Sequence, residues 1–336
     1  MGQKWAQKIQ LGKETTPGTA VAATTVWRGV GGMLTDDREV VMVDEQIGIA
    51  LPTTRNYIPM LSGSLSMAET PATFEQLPHI LEAGVKAIGT GAADGVGTGK
   101  VYNYTMGTTA VNTIKTYTLE TGDNQQAEEM EYAFVESFTL SAERGAAVMM
   151  SADWVGRQVA NTTFTGALTI PTVKEIIAQD GSFFIDNAGT AAGTTTVTGL
   201  LLSWSLTVNT GWKRKWTIDT GNRFFNFHYF DKDSVSAELS MTFEHDAKAV
   251  TEKALFRSGG PRVFRIKVNG PPLGTNGTTY QTKLLQIDMA AVYTAWEAVD
   301  SDEGNSIVNV TAQMGYDPTA ALGLGILVVN ELTAIP

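Results

Sequence analysis

The sequence predicts a mainly β chain built as two tandem copies of one domain, each copy carrying a single helix. Three observations lead there. First, Leu65-Ser66-Met67 and the helix-like stretch after it recur 174 residues later as Leu239-Ser240-Met241 and a second helix-like stretch. A period this long is a domain duplication rather than a solenoid repeat. Second, most apolar segments alternate with period two between Gly, Asn or Pro, as half-buried strands do. Third, only 18% of the residues are charged while Gly, Thr and Ala are abundant, a composition of turn-rich β proteins and not of disordered chains. A length of 336 residues gives each copy room for its own core.

The repeat runs the length of the chain. Leu61 falls on Val235, Leu65 on Leu239, Met67 on Met241 and Leu81 on Leu255, with Met33-Leu34 on Thr207-Val208 upstream. Later segments align at a shorter offset of 160, with Val148, Met150 and Ala152 on Val308, Val310 and Ala312. The Gly-rich stretch Gly89 to Gly99 absorbs the difference, and such loop insertions cost little.

Residues 1–25 read as a mobile N-terminal arm, since no period there would bury a face. Copy one, residues 26–156, shows strands near 26–34, 57–68, 101–106, 114–120, 130–143 and 146–155. Between them Thr73 to Ala83 has the apolar spacing of an amphipathic helix, which Pro78 is expected to shorten or kink. A connector, 157–198, holds a helical turn at Val173 to Ala178 and a small strand at Ser182 to Asp186. Copy two, residues 199–318, shows strands near 200–209, 212–218, 234–243, 262–269, 281–293 and 306–315. Its helix runs from an Asp246 N-cap to a Gly259-Gly260 stop. Residues 319–336 form a C-terminal arm.

The alternation has a chemical consequence. One side of each strand is apolar; the other carries Ser62, Ser64 and Ser66, then Ser137, Thr139 and Ser141, then Ser236, Glu238 and Ser240, then Gln286 and Asp288. Each copy thus predicts one core face and one wet face of small hydroxyls and acids, almost without Lys or Arg.

Site chemistry is sparse. His79, His228 and His245 have no second His at metal-ligand spacing. The Gly89 to Lys100 stretch has Asp94 and Val101 where a phosphate-binding loop needs Gly and a hydroxyl residue, so it reads as a flexible loop. No Gly-x-Ser-x-Gly elbow occurs. The expectation is a non-enzyme without metal or cofactor. A net charge of -11 opposes a dedicated nucleic-acid binder, though not a surface past which a polyanion slides. There is no cysteine, no signal-peptide h-region, and no apolar run longer than the ten residues of Ala320 to Val329. The chain is therefore expected to be made in the cytoplasm without membrane insertion.

Two hairpins stand out by charge. One is acidic (Asp36, Asp37, Glu39, Asp44, Glu45); its counterpart is basic, Lys213-Arg214-Lys215 between Trp212 and Trp216. Two tryptophans anchoring a hairpin tip account for the second cluster, and the opposite charges suit contacts between subunits or successive rings.

Three segments resemble the tail tube (major tail) proteins of long-tailed phages: Gln10-Leu11-Gly12-Lys13-Glu14-Thr15-Thr16-Pro17-Gly18-Thr19-Ala20-Val21-Ala22, Leu201-Leu202-Ser203-Trp204-Ser205-Leu206-Thr207-Val208-Asn209-Thr210-Gly211-Trp212, and Glu238-Leu239-Ser240-Met241-Thr242-Phe243-Glu244-His245-Asp246. The resemblance implies two tandem β-sandwich domains, each flanked by one α-helix, with inner sheets that join into a ring-wide β-barrel. It implies a virion tail component that stacks as rings around a lumen, with hairpins and terminal arms linking ring to ring. A duplicated subunit is expected to close a pseudo-sixfold ring as a homotrimer. Implied partners are further copies of itself, a tape measure protein, tail terminator or baseplate proteins, and phage DNA in transit without tight binding. The alternative is a two-domain β-sandwich binding module of a phage baseplate or receptor-binding complex.

Overall fold

A computed structural model describes residues 1–218 and 221–336. The chain is mainly β, with 47% of residues in strands against 8% in helices, and its sheets are antiparallel. The first half contains β1 (Lys8–Lys13), β2 (Thr25–Val26), β3 (Thr35–Arg38), β4 (Val41–Met42), β5 (Asn56–Tyr57) and β6 (Leu61–Pro71). Helix α1 (Leu77–Gly84) precedes β7 (Ala92–Ala93), β8 (Lys100–Thr105), β9 (Tyr117–Gly122), β10 (Ala127–Glu143), β11 (Met149–Gly156) and β12 (Val159–Thr162). The second half contains β13 (Gly181–Asn187), β14 (Thr196–Val197), β15 (Leu201–Asn209), β16 (Trp212–Lys215), β17 (Phe227–Phe230) and β18 (Ser236–Glu244). Helix α2 (Ala247–Ser258) is followed by β19 (Arg262–Pro272), β20 (Thr282–Trp296), β21 (Asp300–Asp302), β22 (Asn305–Met314) and β23 (Leu324–Asn330).

The two longest strands organise everything else. Strand β10 begins between β9 and β12, is bulged between Val135 and Ser137, and ends between β11 and β15. Strand β20 repeats this: it begins between β19 and β23, is bulged between Tyr293 and Ala295, and ends against β22. A bulge adds one unpaired residue and sharpens the local bend, here just after each strand has entered its second set of partners. The pattern extends further, for β1 flanks β9 as β13 flanks β19. The two halves meet along β10 and β15, which pair from Ser137–Asn209 to Glu143–Ser203. One sheet therefore runs β3-β6-β11-β10-β15-β18-β22-β20 through both halves. Side chains beneath it merge into a single apolar cluster from Ile9 to Ile335, so the separate cores expected of two copies are fused.

Several elements differ from the sequence reading. Residues 8–13 are no mobile arm: β1 pairs with β9 along its whole length and buries Ile9 and Leu11. Two alternating apolar residues in a six-residue strand are too few to show a period. Behind them Glu14 is buried, accepting hydrogen bonds from Gly18 N, Tyr132 N, Thr116 Oγ1 and Thr118 Oγ1. The expected C-terminal arm likewise contains β23, almost wholly buried between β20 and β8.

Residues 27–34 form no strand, although Trp27 and Leu34 are buried. The Thr35–Ser64 and Thr207–Glu238 pairings place Leu34 level with Leu206, so Met33-Leu34 does not fall on Thr207-Val208. Helix α1 starts at Leu77, four residues later than read, and Pro78 sits in its first turn, where proline is tolerated; it initiates the helix instead of kinking it. The segment at 173–178 is extended, bridging Thr73 through Glu175 and Ala147 through Ile177, with a 3-10 turn at Ala178–Asp180. The Gly-rich loop is pinned, since the Asp94 carboxylate accepts from Thr279 N and Tyr280 N at 2.9 and 2.6 Å. Asp246 does cap α2 through Ala249 N (2.8 Å), and Gly259 ends it in the left-handed region at φ 68°.

A cation-free polar face as the candidate functional site

Six neighbouring strand segments, 61–71, 149–156, 137–143, 201–209, 236–244 and 305–314, contain no Lys or Arg. They hold Glu69, Glu143, Asp153, Glu238 and Glu244 instead. Because the strands pair in register, the outward residues form rows across the sheet. One row runs Ser66, Asp153, Ser137, Asn209, Ser236; the next runs Ser151, Thr139, Thr207, Glu238, Gln313. A third runs Ser141, Ser205, Ser240, Thr311. The opposite side of the same strands supplies Leu65, Phe138, Leu140, Leu206, Leu239 and Val310 to the core.

The rows are cross-linked by short side chains. Ser66 and Ser137 both donate to the Asp153 carboxylate at 2.8 Å, and Thr139 and Thr207 meet at 3.3 Å. Asn209 donates to Ser236 (2.9 Å), and Ser203, Thr242 and Asn309 form a chain at 3.0 and 2.9 Å. Such bonds hold the hydroxyls close to the sheet and give a smooth surface whose fixed charge is negative. A phosphate polyanion finds no ammonium or guanidinium there to exchange for its counterions.

The predicted residues divide. Ser66, Ser137, Thr139, Ser141, Ser236, Glu238 and Ser240 share this face. Ser62 and Ser64 lie at its end beside β3, where Ser64 donates to Asp37 (3.0 Å). Gln286 and Asp288 are elsewhere: they sit on the first part of β20, between β19 and β23, where Arg265 holds Asp288 in a two-pronged ion pair. Alternation along β20 continues through the change of sheet, so it could not show which sheet each residue joins. Sequence reading also missed Asp153, Ser203, Thr207 and Asn309. Asp153 follows an alternation interrupted by a bulge between Met150 and Ala152.

The hairpins separate too. Strands β16 and β17 pair with each other and lie against the first half of the same chain. Trp212 is buried, its Nε1 donating to Gly84 O at the end of α1 (3.0 Å), and Phe225 packs on Tyr132 and Phe134. Arg157 reaches Phe225 O and Asn226 O, and Arg214 lies 3.7 Å from Glu136 while its guanidinium covers Trp216. Trp212, Arg214 and Trp216 are thus committed inside the chain; Lys213 is half-exposed and Lys215 is exposed. The acidic hairpin is different. Asp36, Asp37, Glu39 and Asp44 are exposed, while Glu45 is held by Thr53 and Arg55 of its own loop.

A cavity of about 270 Å³ between the halves is lined by Met106, Trp212, Phe230, Met314 and Tyr316, among others, with no ionisable side chain except the tyrosine. His79 is fully buried against Tyr117, and burial, helped by the charge of Lys13, lowers its pKa to about 3, which keeps the ring neutral. Among the described residues no three His, Cys, Asp or Glu come together as a metal site, and no helix is long and apolar enough to cross a membrane. No known family model matches the chain, and no curated protein shows significant similarity to it.

Proposed function

We propose that this chain is the structural subunit of a phage-type tail tube, stacking as rings around a lumen through which DNA passes. The observation that carries the reading is the polar face: it spans both halves of the chain, lacks any cation on six strands, and belongs to a sheet open at both ends. Among the described residues, β3 at one end pairs with β6 alone, and at the other the last part of β20 pairs with β22 alone. Exposed sheet edges recruit further strands. Inside the chain, the corresponding part of β10 has already recruited β15.

In this reading the recurring strand pattern is a duplicated β-sandwich unit, and β10–β15 is the contact that unites two units. Repeating that contact between chains gives a heterologous, ring-closing interface. Three chains then close a pseudo-sixfold ring whose inner surface is the wet face. The tube's partners are further copies of the chain, the tape measure, terminator and baseplate components of a tail, and DNA in transit.

Negative-stain microscopy of the purified protein tests this. Hollow stacked rings with three chains per ring are expected. A discrete oligomer that binds a saccharide or protein ligand would instead favour a baseplate or receptor-binding module.

A further inference from the structure

The two halves bear equivalent hairpins, and only one has a seat. Between β15 and β18 the chain rises into β16–β17; between β3 and β6 it rises into β4–β5. The β16–β17 hairpin buries Trp212 and Phe225 against the first half. The β4–β5 hairpin leaves Val40, Met42, Ile47, Ile49, Leu51 and Tyr57 between 53% and 74% exposed. Six large apolar side chains exposed on one excursion call for a covering surface.

The seat of the first hairpin shows where to look for the second. Phe134 and Val155, paired across β10 and β11, are its floor, and the C-terminus of α1 is its wall. In the second half the equivalent positions are Ala290 and Gly315, joined by Gly315 N to Ala290 O (2.9 Å), and the C-terminus of α2. Small residues replace Phe and Val there. They leave a mostly apolar groove of about 340 Å³, whose lining includes Pro261, Ala290, Val292, Gly315, Tyr316 and Pro318.

Charge agrees. Helix α2 presents Lys253 and Arg257, with Lys248 paired to the buried Glu252, whereas α1 has no cation. The hairpin that lacks a seat is the acidic one, with Asp36, Asp37, Glu39 and Asp44 exposed at and above its base. Burial differs in the same sense: all eight residues of α1 are buried, but only Ala249 and Glu252 of α2 are. The groove also adjoins the open edge of β20, as the first seat adjoins the β10–β15 pairing.

We infer that the β4–β5 hairpin of one chain seats in the Ala290–Gly315 groove of the neighbouring chain in the same ring, reproducing between chains the contact that β16–β17 makes within one. This rests on the ring reading above, but departs from the expectation that both hairpins link ring to ring.

The chain has no cysteine, so introduced thiols report cleanly. Ile49→Cys and Tyr316→Cys lie at positions 60% and 54% exposed, where folding is not at stake. The double variant is assembled, treated with a short bifunctional maleimide and run on a denaturing gel. Seating within a ring gives covalent species that stop at three chains, and mixing the two single variants gives dimers that neither gives alone. A ladder extending past three chains places the hairpin between rings and overturns the inference. Tubes without cross-links overturn it and leave the tube reading intact. Cross-linked trimers that never stack keep the seat and overturn the tube. A protein that stays monomeric overturns both.

Discussion

Replacing Trp212 with alanine tests whether the two halves are joined as described. The indole is 7% exposed, donates to Gly84 O at 3.0 Å, and meets His228 and Phe230 edge-on at centroid distances of 5.1 and 5.4 Å. Truncating a buried Trp costs about 3–5 kcal/mol through lost transfer energy and the cavity left behind. Loss of the indole hydrogen bond to the Gly84 carbonyl adds roughly 1 kcal/mol. The ring contacts belong to the same burial and are not added again. Trp212→Ala should therefore lose about 4–6 kcal/mol, and Trp212→Phe, which keeps most of the packing but not the donor, about 1–2 kcal/mol. Trp5, at 84% exposure, serves as the control: Trp5→Ala should stay within about 0.5 kcal/mol. Urea unfolding followed by far-ultraviolet circular dichroism measures all three, with hydrogen exchange of the β16 and β17 amides showing whether the hairpin lifts first. A loss below about 1.5 kcal/mol for Trp212→Ala, or one equal to that of Trp5→Ala, would refute the anchoring role.

Other outcomes follow from single groups. Burial opposes ionisation of Glu252, but hydrogen bonds from Arg262 and Lys248 outweigh it and hold the carboxyl below its usual range; Glu252→Gln should cost roughly 3–5 kcal/mol by stranding Arg262, read as a fall in urea midpoint. His79 remains neutral down to a pKa of about 3 while the unfolded chain takes up its proton near 6.5. The unfolded state thus holds the extra proton between those values, and stability falls by about 1.4 kcal/mol per pH unit as pH drops from 6.5 toward 3. The acid limb of a stability–pH curve should be shallower by that amount in His79→Gln; an unchanged slope excludes His79. Lysines at Ser137, Ser205 and Ser240 should leave folding intact but make assembled protein retain DNA at moderate salt. The logarithm of that affinity should fall with log salt at a slope of roughly -0.9 per phosphate neutralised, and binding indifferent to salt would count against the polar face as a DNA passage.

The mainly β class, the α2 boundaries and the alternation behind most of the polar face were legible because each rests on local rules. Alternation in Ser236–Glu244 marks one buried and one wet side whatever the strand pairs with, and Asp246 and Gly259 act within one helical turn. What was not legible depends on partners distant in sequence. Lys8–Lys13 becomes a strand only because β9 lies beside it, more than a hundred residues on. Gln286 and Asp288 alternate as well as Ser240 does, yet β20 passes from β19 and β23 to β22 near Ala291, a change of partners that leaves no clear mark in the sequence. Trp212 and Trp216 were recognisable as anchors, but not that their mooring is the first half of the same chain.

The role proposed for the cation-free face of β6, β11, β10, β15, β18 and β22 is to line a channel. A cryo-electron microscopy reconstruction of the assembled protein tests it most directly. Three chains per ring are expected, with Asp153 and Glu238 pointing into an open lumen and β20 of each chain paired to the 31–37 region of the next. A reconstruction in which that face is covered by protein, or in which no channel exists, would contradict it.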